Sequence, residues 1–160
     1  MLYFAYGSNM LFDQMRELCP SSTFVCVAAL DGYRLAFTRK AAGASSPWRG
    51  FGVADIVVHE GGRVWGAVFE FDERDIGALD HSEGYRHGRE TSAYRRVEVE
   101  VARDADSENP LSAQTYVVCT REEPNPVPHR DYVARIVAGA RSWNLPADYL
   151  QALEQIEASP

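Results

Sequence analysis

The chain opens with Leu2-Tyr3-Phe4-Ala5-Tyr6-Gly7-Ser8-Asn9, and the order of residue types in this stretch determines how the fold begins. Its first five residues are apolar or aromatic and predict a short strand. Gly7-Ser8-Asn9 then interrupts the strand pattern, as a tight turn does. The sequence therefore predicts an N-terminal strand that ends in a glycine turn.

A short amphipathic helix is predicted next, because Leu11, Met15 and Leu18 share one helical face. Ser8 or Asn9 is its expected N-cap. Main-chain N–H groups at a helix start have no acceptor within the helix, and the helix dipole adds positive potential there. The turn is thus able to hold a carboxylate or an oxyanion, although the same residues also suit an ordinary strand-to-helix turn.

Turn signals divide the following apolar segments into two predicted hairpins. Asp31-Gly32 is expected to reverse the chain in the first hairpin, and Glu60-Gly61-Gly62 in the second. The predicted strands are 23–30 and 33–38 in the first hairpin, and 52–59 and 63–71 in the second. Small and polar residues between the hairpins, at 40–50, are expected to form an exposed loop.

A second helix is predicted from Glu73 to about Ser82, with Asp72 as its N-cap and Gly84 just beyond its C-terminal end. The pattern is completed by two strands, a proline-rich segment and two C-terminal helices; the strands are 94–102 and 113–120, and the prolines lie in 122–128. The sum is six or seven strands, mostly connected as hairpins. It predicts an α+β fold with a curved or closed, mostly antiparallel sheet, formed by residues 1–160 as a single domain.

Composition and charge narrow the classes of function. The 160 residues are 46% hydrophobic and 24% charged, and the net charge is −7. This net negative charge excludes the basic surface of a nucleic-acid-binding protein and provides no attraction to an anionic membrane. No apolar run approaches the roughly 20 residues that span a bilayer, and the N-terminus lacks the basic segment of a secretion signal. With three cysteines and no CxxC spacing, we expect reduced thiols and a cytoplasmic protein that handles a small molecule.

Glu83 is the candidate acid–base residue, in the segment Leu79-Asp80-His81-Ser82-Glu83-Gly84. At the end of the predicted helix its carboxylate lies at the negative end of the dipole, where it is disfavoured. Partial burial and repulsion by Asp80 are also expected to raise its pKa toward the value that a general base needs at neutral pH. A solvated glutamate in a polar loop is the competing interpretation, because His81 and Ser82 are equally polar.

Other residues carry weaker signals. His81, His87 and His129 do not pair with Cys, Asp or Glu at metal-ligand spacing, so no metal site is expected. Ser8 lacks the GxSxG context of a hydrolase nucleophile. Tyrosines are packing residues by default, although a phenol that faces a cavity can orient a ligand; the candidates are Tyr3, Tyr94, Tyr116 and Tyr132.

These segments together resemble the gamma-glutamylcyclotransferase family. Tyr3-Phe4-Ala5-Tyr6-Gly7-Ser8-Asn9 is similar to the family's signature loop, and Leu79-Asp80-His81-Ser82-Glu83-Gly84 to the segment that carries its catalytic glutamate. The similarity continues through Val64-Trp65-Gly66-Ala67-Val68, Tyr132-x-x-x-Ile136-x-x-Gly139-Ala140, Leu145-Pro146 and Tyr149. It covers nearly the whole chain in the same order, and its C-terminal part resembles the branch that acts on γ-glutamyl amino acids.

The resemblance implies a small β-barrel flanked by helices and an enzyme that cyclises the γ-glutamyl group of a γ-glutamyl amino acid to 5-oxoproline. It also implies no cofactor, a place in glutathione metabolism, a homodimer, and Glu83 as the general acid and base. The residues that it places around the substrate are Tyr3, Phe4, Ala5, Tyr6, Gly7, Ser8, Asn9, Tyr94, Tyr116 and Tyr132.

The segment 85–94 departs from the family pattern, because it looks longer than the usual link between the glutamate and the next strand. It is expected to bring Arg86, His87 and Arg89 within reach of a carboxylate on the leaving group. Three alternatives stay open at this point: a cyclotransferase for other γ-glutamyl amines or conjugates, a binding module that keeps the cavity without the chemistry, and a Ser8-dependent hydrolase.

Overall fold

The computed structural model describes residues 1–89 and 91–160. Within these residues five strands close into a barrel in the order β1-β3-β2-β4-β5, accompanied by four α-helices. The strands are β1 (Leu2–Ala5), β2 (Thr23–Lys40), β3 (Gly52–Glu70), β4 (Tyr94–Arg103) and β5 (Pro110–Val118). The helices are α1 (Phe12–Leu18), α2 (Ile76–Ser82), α3 (Arg130–Ser142) and α4 (Ala147–Glu154), and 3-10 turns at Ser8–Met10 and Glu73–Asp75 precede α1 and α2. The predicted α+β barrel is confirmed.

Both predicted hairpins are wrong, because β2 and β3 run through the two turn signals as one long antiparallel ribbon. The signals lie opposite each other: Asp31 pairs with Arg63, and the next pair is Tyr33 with Val58. Gly32 and Gly61 do adopt the left-handed backbone that a turn would need, with φ of +80° and +73°. The pairing register of the two strands shifts at this point. The ribbon therefore forms a bulge there, and neither strand reverses its direction. This accounts for five strands in place of six or seven.

Strand β1 closes the barrel. It pairs antiparallel with β3, from Leu2 opposite Glu70 to Ala5 opposite Ala67, and parallel with β5 where Tyr3 meets Gln114. The remaining ladders in the described part of the chain are antiparallel. The sheet is therefore mostly antiparallel, as predicted, and the seam between β1 and β5 lies just before the glycine turn.

The glycine turn differs from the prediction in how it enters α1. Ser8, Asn9 and Met10 form a single 3-10 turn, and Leu11 is the N-cap of α1, without a side-chain capping bond. The predicted cap at Ser8 or Asn9 is wrong because the extra turn places both residues ahead of the α-helix. Their side chains are consequently available for contacts elsewhere.

The C-terminal end of α2 is the one that the sequence predicts. Gly84 follows the C-cap Glu83 with a φ of +64°. Its N–H donates to His81 O (3.1 Å), and the Tyr85 N–H donates to Asp80 O (2.8 Å), which together make a Schellman motif. This motif fixes the position of Glu83 at the end of the helix.

Helix α3 packs directly on the glycine turn. A Cβ atom added to Gly139 would lie 2.7 Å from Met10 Cβ, so only glycine allows the approach. Trp143 Nε1 donates a hydrogen bond to Met10 O (2.7 Å) from the end of the same helix. Among the described residues, no helix is long and apolar enough to cross a membrane.

Candidate active site

A small cavity lies where β1 runs into the glycine turn. Its volume is about 30 Å³, which is room for one small polar group or a water or two. The residues that line it are Tyr3, Tyr6, Gly7, Ser8, Asn9, Ala54, Glu83, Tyr94, Tyr116 and Tyr132. All of them except Ala54 are residues that the sequence analysis singles out, and the fold gathers them from widely separated elements.

Phe4 and Ala5 are the two candidate residues that do not line this cavity. Both side chains are fully buried in the barrel core. Thr115 Oγ1 donates to Phe4 O (2.8 Å) across the barrel seam, so this part of β1 is fixed to β5. Phe4 and Ala5 therefore support the glycine turn and have no surface to offer a ligand.

Gly7 keeps its place in the turn through close packing. Its φ of −116° is one that any residue adopts, but an added Cβ would lie 3.2 Å from Ala54 Cβ. The glycine turn therefore packs closely against β3 beside the cavity.

Glu83 presents its carboxyl group to the cavity from the end of α2. Asn9 Nδ2 donates to Glu83 Oε1 at 2.9 Å. Burial raises the pKa of Glu83 from 4.5 to about 7; the hydrogen bond from Asn9 opposes this rise, and the charge of Asp80 adds to it. The raised pKa predicted from the sequence is present, and burial is its largest cause.

The Asn9 amide is held in one orientation by a chain of hydrogen bonds. Its Nδ2 also donates to the Tyr3 hydroxyl (3.0 Å), and its Oδ1 accepts from Gln14 Nε2 (2.7 Å). Gln14 Oε1 in turn accepts from Arg135 of α3 (3.2 Å). Since Arg135 can only donate, it fixes which end of the Gln14 amide donates to Asn9, and so which end of Asn9 faces Glu83. No sequence pattern points to Gln14, because its role comes from contacts with Asn9 and with the distant Arg135.

Two tyrosines of the cavity hold the main chain of β3. The Ala54 N–H donates to the Tyr132 hydroxyl (3.1 Å), and the Tyr94 hydroxyl donates to Ala54 O (2.6 Å). Burial raises the pKa of Tyr132 to about 12 and that of Tyr94 well above its ordinary value, so both phenols are neutral at physiological pH. They are hydrogen-bonding groups and do not serve as bases.

Asp80 is held one helical turn before Glu83. The Tyr116 hydroxyl donates to its Oδ1, and Arg96 forms an ion pair with it at 3.1 Å. The pair with Arg96 keeps the Asp80 carboxylate in place beside Glu83.

The buried carboxylate of Asp55 holds together the strands next to the cavity. Asp55 is fully buried, follows Ala54 in β3, and accepts from Thr38 Oγ1 (2.7 Å), Val118 N–H (3.0 Å) and Arg121 Nε (2.8 Å). These bonds satisfy the charge and connect β3 to β2 and β5. Nothing in the local sequence distinguishes Asp55 from a surface aspartate, because its partners lie up to 66 residues away.

A larger groove continues outward from the cavity. Its volume is about 520 Å³, within the range of small-molecule sites, and it shares Ser8, Asn9, Glu83, Tyr94 and Tyr132 with the cavity. The other groove residues are Gln14, Arg39, Lys40, Ala41, Ala42, Gly43, Ser45, Ser46, Pro47, Trp48, Val53, His81, Ser82, Gly84 and Ala93. Glu83 therefore lies on the wall between a small polar chamber and a wide open groove.

The predicted cationic contacts of segment 85–94 are not in this groove. Arg86, His87 and Arg89 are exposed and do not line it, and Glu90 of the same segment lies outside the described residues. The cations on the groove wall are Arg39 and Lys40, which the sequence analysis did not propose.

The surroundings of Ser8, within the described residues, are not those of a hydrolase nucleophile. Ser8 Oγ accepts from Gln14 Nε2 (3.1 Å), and within residues 1–89 and 91–160 no histidine is hydrogen-bonded to it. The same residues contain no group of three or more His, Cys, Asp or Glu side chains placed to hold a metal ion. Among the described residues, the cavity thus offers the carboxyl group of Glu83, several neutral phenols and the Asn9 amide.

Comparisons with known proteins show which family the chain resembles. Residues 63–153 match the model of the AIG2-like family. The chain is 35% identical to gamma-glutamylcyclotransferase of Homo sapiens and 34% identical to that of Mus musculus, in both cases over 98% of this chain and 78% of the relative. A solved structure of a gamma-glutamyl cyclotransferase superposes with a TM-score of 0.85 at 32% identity, covering 99% of this chain and 89% of that one.

Proposed function

The chain belongs to the gamma-glutamylcyclotransferase family, and on this premise we propose that it converts a γ-glutamyl amino acid to 5-oxoproline and the free amino acid, with Glu83 as the general acid and base. The observation that supports the proposal is the carboxyl group of Glu83, with a pKa of about 7, on the wall shared by the cavity and the groove. No cofactor enters the reaction.

The reaction closes a five-membered lactam. The α-amine nitrogen of the γ-glutamyl group attacks the γ-carbonyl carbon, and the amide C–N bond to the leaving amino acid breaks. The α-ammonium nitrogen gives up two protons as it becomes the lactam N–H, and the leaving nitrogen gains two as it departs as an ammonium group. Because the nucleophile is tethered to the electrophile, the enzyme has only to fold the substrate and move these protons.

The pKa of Glu83 suits that proton transfer. An α-ammonium group has a pKa above neutrality, and moving its proton to a carboxylate costs about 1.4 kcal/mol for each unit that separates the two pKa values. Because the pKa of Glu83 is raised from 4.5 to about 7, this transfer costs on the order of 3 kcal/mol less than it would with an ordinary glutamate. The same residue, once protonated, is acidic enough to return the proton to the leaving nitrogen.

The glycine turn supplies the groups for a developing negative charge. The 3-10 turn begins at Ser8, so the N–H groups of Ser8 and Asn9 have no acceptor within it. Both residues line the cavity next to Glu83. We assign them to the substrate carboxylate or to the oxyanion of the tetrahedral intermediate.

The test is turnover of γ-glutamyl-alanine by the purified protein, with 5-oxoproline and alanine followed by mass spectrometry. Equal amounts of both products are expected. Glu83→Gln is nearly isosteric and is expected to reduce turnover at least about 100-fold while the protein stays folded. Glu17→Gln, on the exposed face of α1, is the matched control and is expected to have normal activity.

Three results would contradict the proposal. Near-normal activity in folded Glu83→Gln would remove its acid–base role, and release of glutamate in place of 5-oxoproline would indicate a hydrolase. Absence of turnover with γ-glutamyl-alanine, together with turnover of other γ-glutamyl amines, would assign a different leaving group to the same chemistry.

A further inference from the structure

The outer groove is a positive region on an acidic molecule. The whole chain has a net charge of −7, yet among the residues that the structure describes the groove lining contains Arg39, Lys40 and a single carboxyl group, that of Glu83. Lys40 is the single lysine among sixteen Lys and Arg residues. Because cations outnumber carboxyl groups in this lining, the groove attracts anionic ligands.

The fold places these two cations beside the cavity. Arg39 and Lys40 end β2, opposite Val53 and Gly52 of β3. Val53 lines the groove, and the next residue, Ala54, lines the cavity. Because paired strands lie only about 5 Å apart, the two cations are one strand away from the cavity, on its outer side.

The two side chains are also available to a ligand. Within the described residues, neither side chain has a carboxylate within 4 Å, whereas Arg63, Arg96, Arg121 and Arg141 each do. The nearby Glu122 accepts a hydrogen bond from the main-chain N–H of Lys40 and forms no ion pair with its ammonium group. An anion in the groove would therefore displace no carboxylate of residues 1–89 or 91–160 from these side chains.

The structure assigns Arg39 and Lys40 to a binding site for the carboxylate of the amino acid that leaves, an inference that rests on the proposed function. A γ-glutamyl amino acid whose reacting amide lies at Glu83 extends its other end away from the cavity, into the groove. There its free carboxylate meets the guanidinium and ammonium groups, which form charge-assisted hydrogen bonds with carboxylates. The site thus selects γ-glutamyl amino acids over γ-glutamyl amines that lack this carboxylate.

The experiment compares γ-glutamyl-alanine with γ-glutamyl-alaninamide, which has the same shape without the terminal charge. We expect the wild-type protein to prefer the carboxylate substrate, and Arg39→Gln/Lys40→Met to lower its kcat/KM about 10- to 100-fold. Turnover of the amide is expected to change less than about 2-fold. Arg34→Gln, an exposed arginine on the same strand that does not line the groove, is the control and is expected to leave both substrates unaffected.

The possible outcomes distinguish a failure of this inference from a failure of the proposed cyclotransferase function. If the double variant loses both substrates equally, or loses neither, the carboxylate site is overturned while the cyclotransferase function stands. If the wild-type protein forms no 5-oxoproline from either substrate, the proposed function itself fails.

Discussion

The pKa of Glu83 depends on its burial and on two neighbouring residues, Asn9 and Asp80, which can be changed separately. Burial raises its pKa, Asn9 lowers it by donating to the carboxylate, and the negative charge of Asp80 raises it. In the proposed mechanism Glu83 must be deprotonated to accept a proton from the substrate. The acid limb of kcat/KM against pH is therefore expected near pH 7 in the wild-type protein.

Asp80→Asn and Asn9→Ala should move this limb in opposite directions. Asp80→Asn removes the repelling charge and leaves Arg96 without its partner, and both effects lower the pKa of Glu83. Asn9→Ala removes the hydrogen bond to the carboxylate and raises that pKa. Profiles of kcat/KM for γ-glutamyl-alanine check the result, and limbs that stay in place or move together would show that Glu83 does not control the rate.

Because its pKa is raised, Glu83 lowers the free energy of unfolding above neutral pH. Between about pH 4.5 and 7 the unfolded chain releases this proton while the folded protein keeps it, so the free energy of unfolding falls as pH rises. The total cost is on the order of 3 kcal/mol for a pKa rise of this size. Glu83→Gln should therefore be more stable than the wild-type protein at pH 8 and nearly equal to it at pH 4.

Urea unfolding of both proteins at the two pH values measures this difference. Glu17→Gln again provides the control, because Glu17 is exposed and its replacement should leave the pH dependence unchanged. Parallel stability curves for wild type and Glu83→Gln would contradict a buried carboxyl group at this position.

At the level of strands and helices, the sequence predicts backbone conformation better than chain direction. Gly32 and Gly61 have the positive φ that their turn signals indicate, but the chain does not reverse at either residue. Whether a glycine forms a hairpin or a bulge depends on the strand opposite it, and each signal here faces the other across the ribbon. By contrast, Gly84 ends α2 as predicted, because the Schellman motif is completed by residues of the same helix.

The candidate site shows the same division. Glu83 and the glycine turn each have a local signal, a helix end and a break in a strand pattern, but these signals also fit a solvated glutamate and an ordinary turn. The resemblance to the gamma-glutamylcyclotransferase family is what singles them out. Gln14, Asp55 and Arg39 have no local signal, since their roles come from contacts with residues distant in the chain or from a place on the groove wall. Phe4 and Ala5 belong to the signature stretch, but they are buried because they lie in the strand that closes the barrel.

Helix α3 and the glycine turn are expected to depend on Gly139. A methyl group there would meet Met10 Cβ at 2.7 Å and the Leu11 nitrogen at 2.9 Å, both parts of a packed backbone. Gly139→Ala should therefore destabilise the protein by about 1 to 3 kcal/mol and reduce activity, because α3 also carries Tyr132 and Arg135 into the site.

Gly77→Ala is the matched control for this substitution. Gly77 lies in α2 with no atom within 4 Å of an added Cβ, so alanine there should stabilise the helix by up to about 1 kcal/mol. Thermal unfolding and turnover of both variants give the comparison. Equal stability of the two variants would show that the contact between α3 and the turn is not tight.

On the scale of the whole molecule, the site can form only when the barrel closes. β1 joins residues near positions 70 and 114, and the glycine turn continues directly from it. Thr115, which is fully buried, donates to Phe4 O at the seam between β1 and β5. Thr115→Val keeps the shape but leaves this buried carbonyl without that donor, at an expected cost of about 1 to 3 kcal/mol.

The loss of stability in Thr115→Val should reduce folded structure and enzymatic activity at the same urea concentration. In urea, the midpoints measured by circular dichroism and by 5-oxoproline formation are expected to coincide in the wild-type protein and to shift equally in Thr115→Val. Thr115→Ser keeps the hydroxyl group and should recover most of the loss. If activity disappears well before the circular dichroism signal, the glycine turn and Glu83 separate while the barrel is intact, and closure of the seam is not what assembles the site.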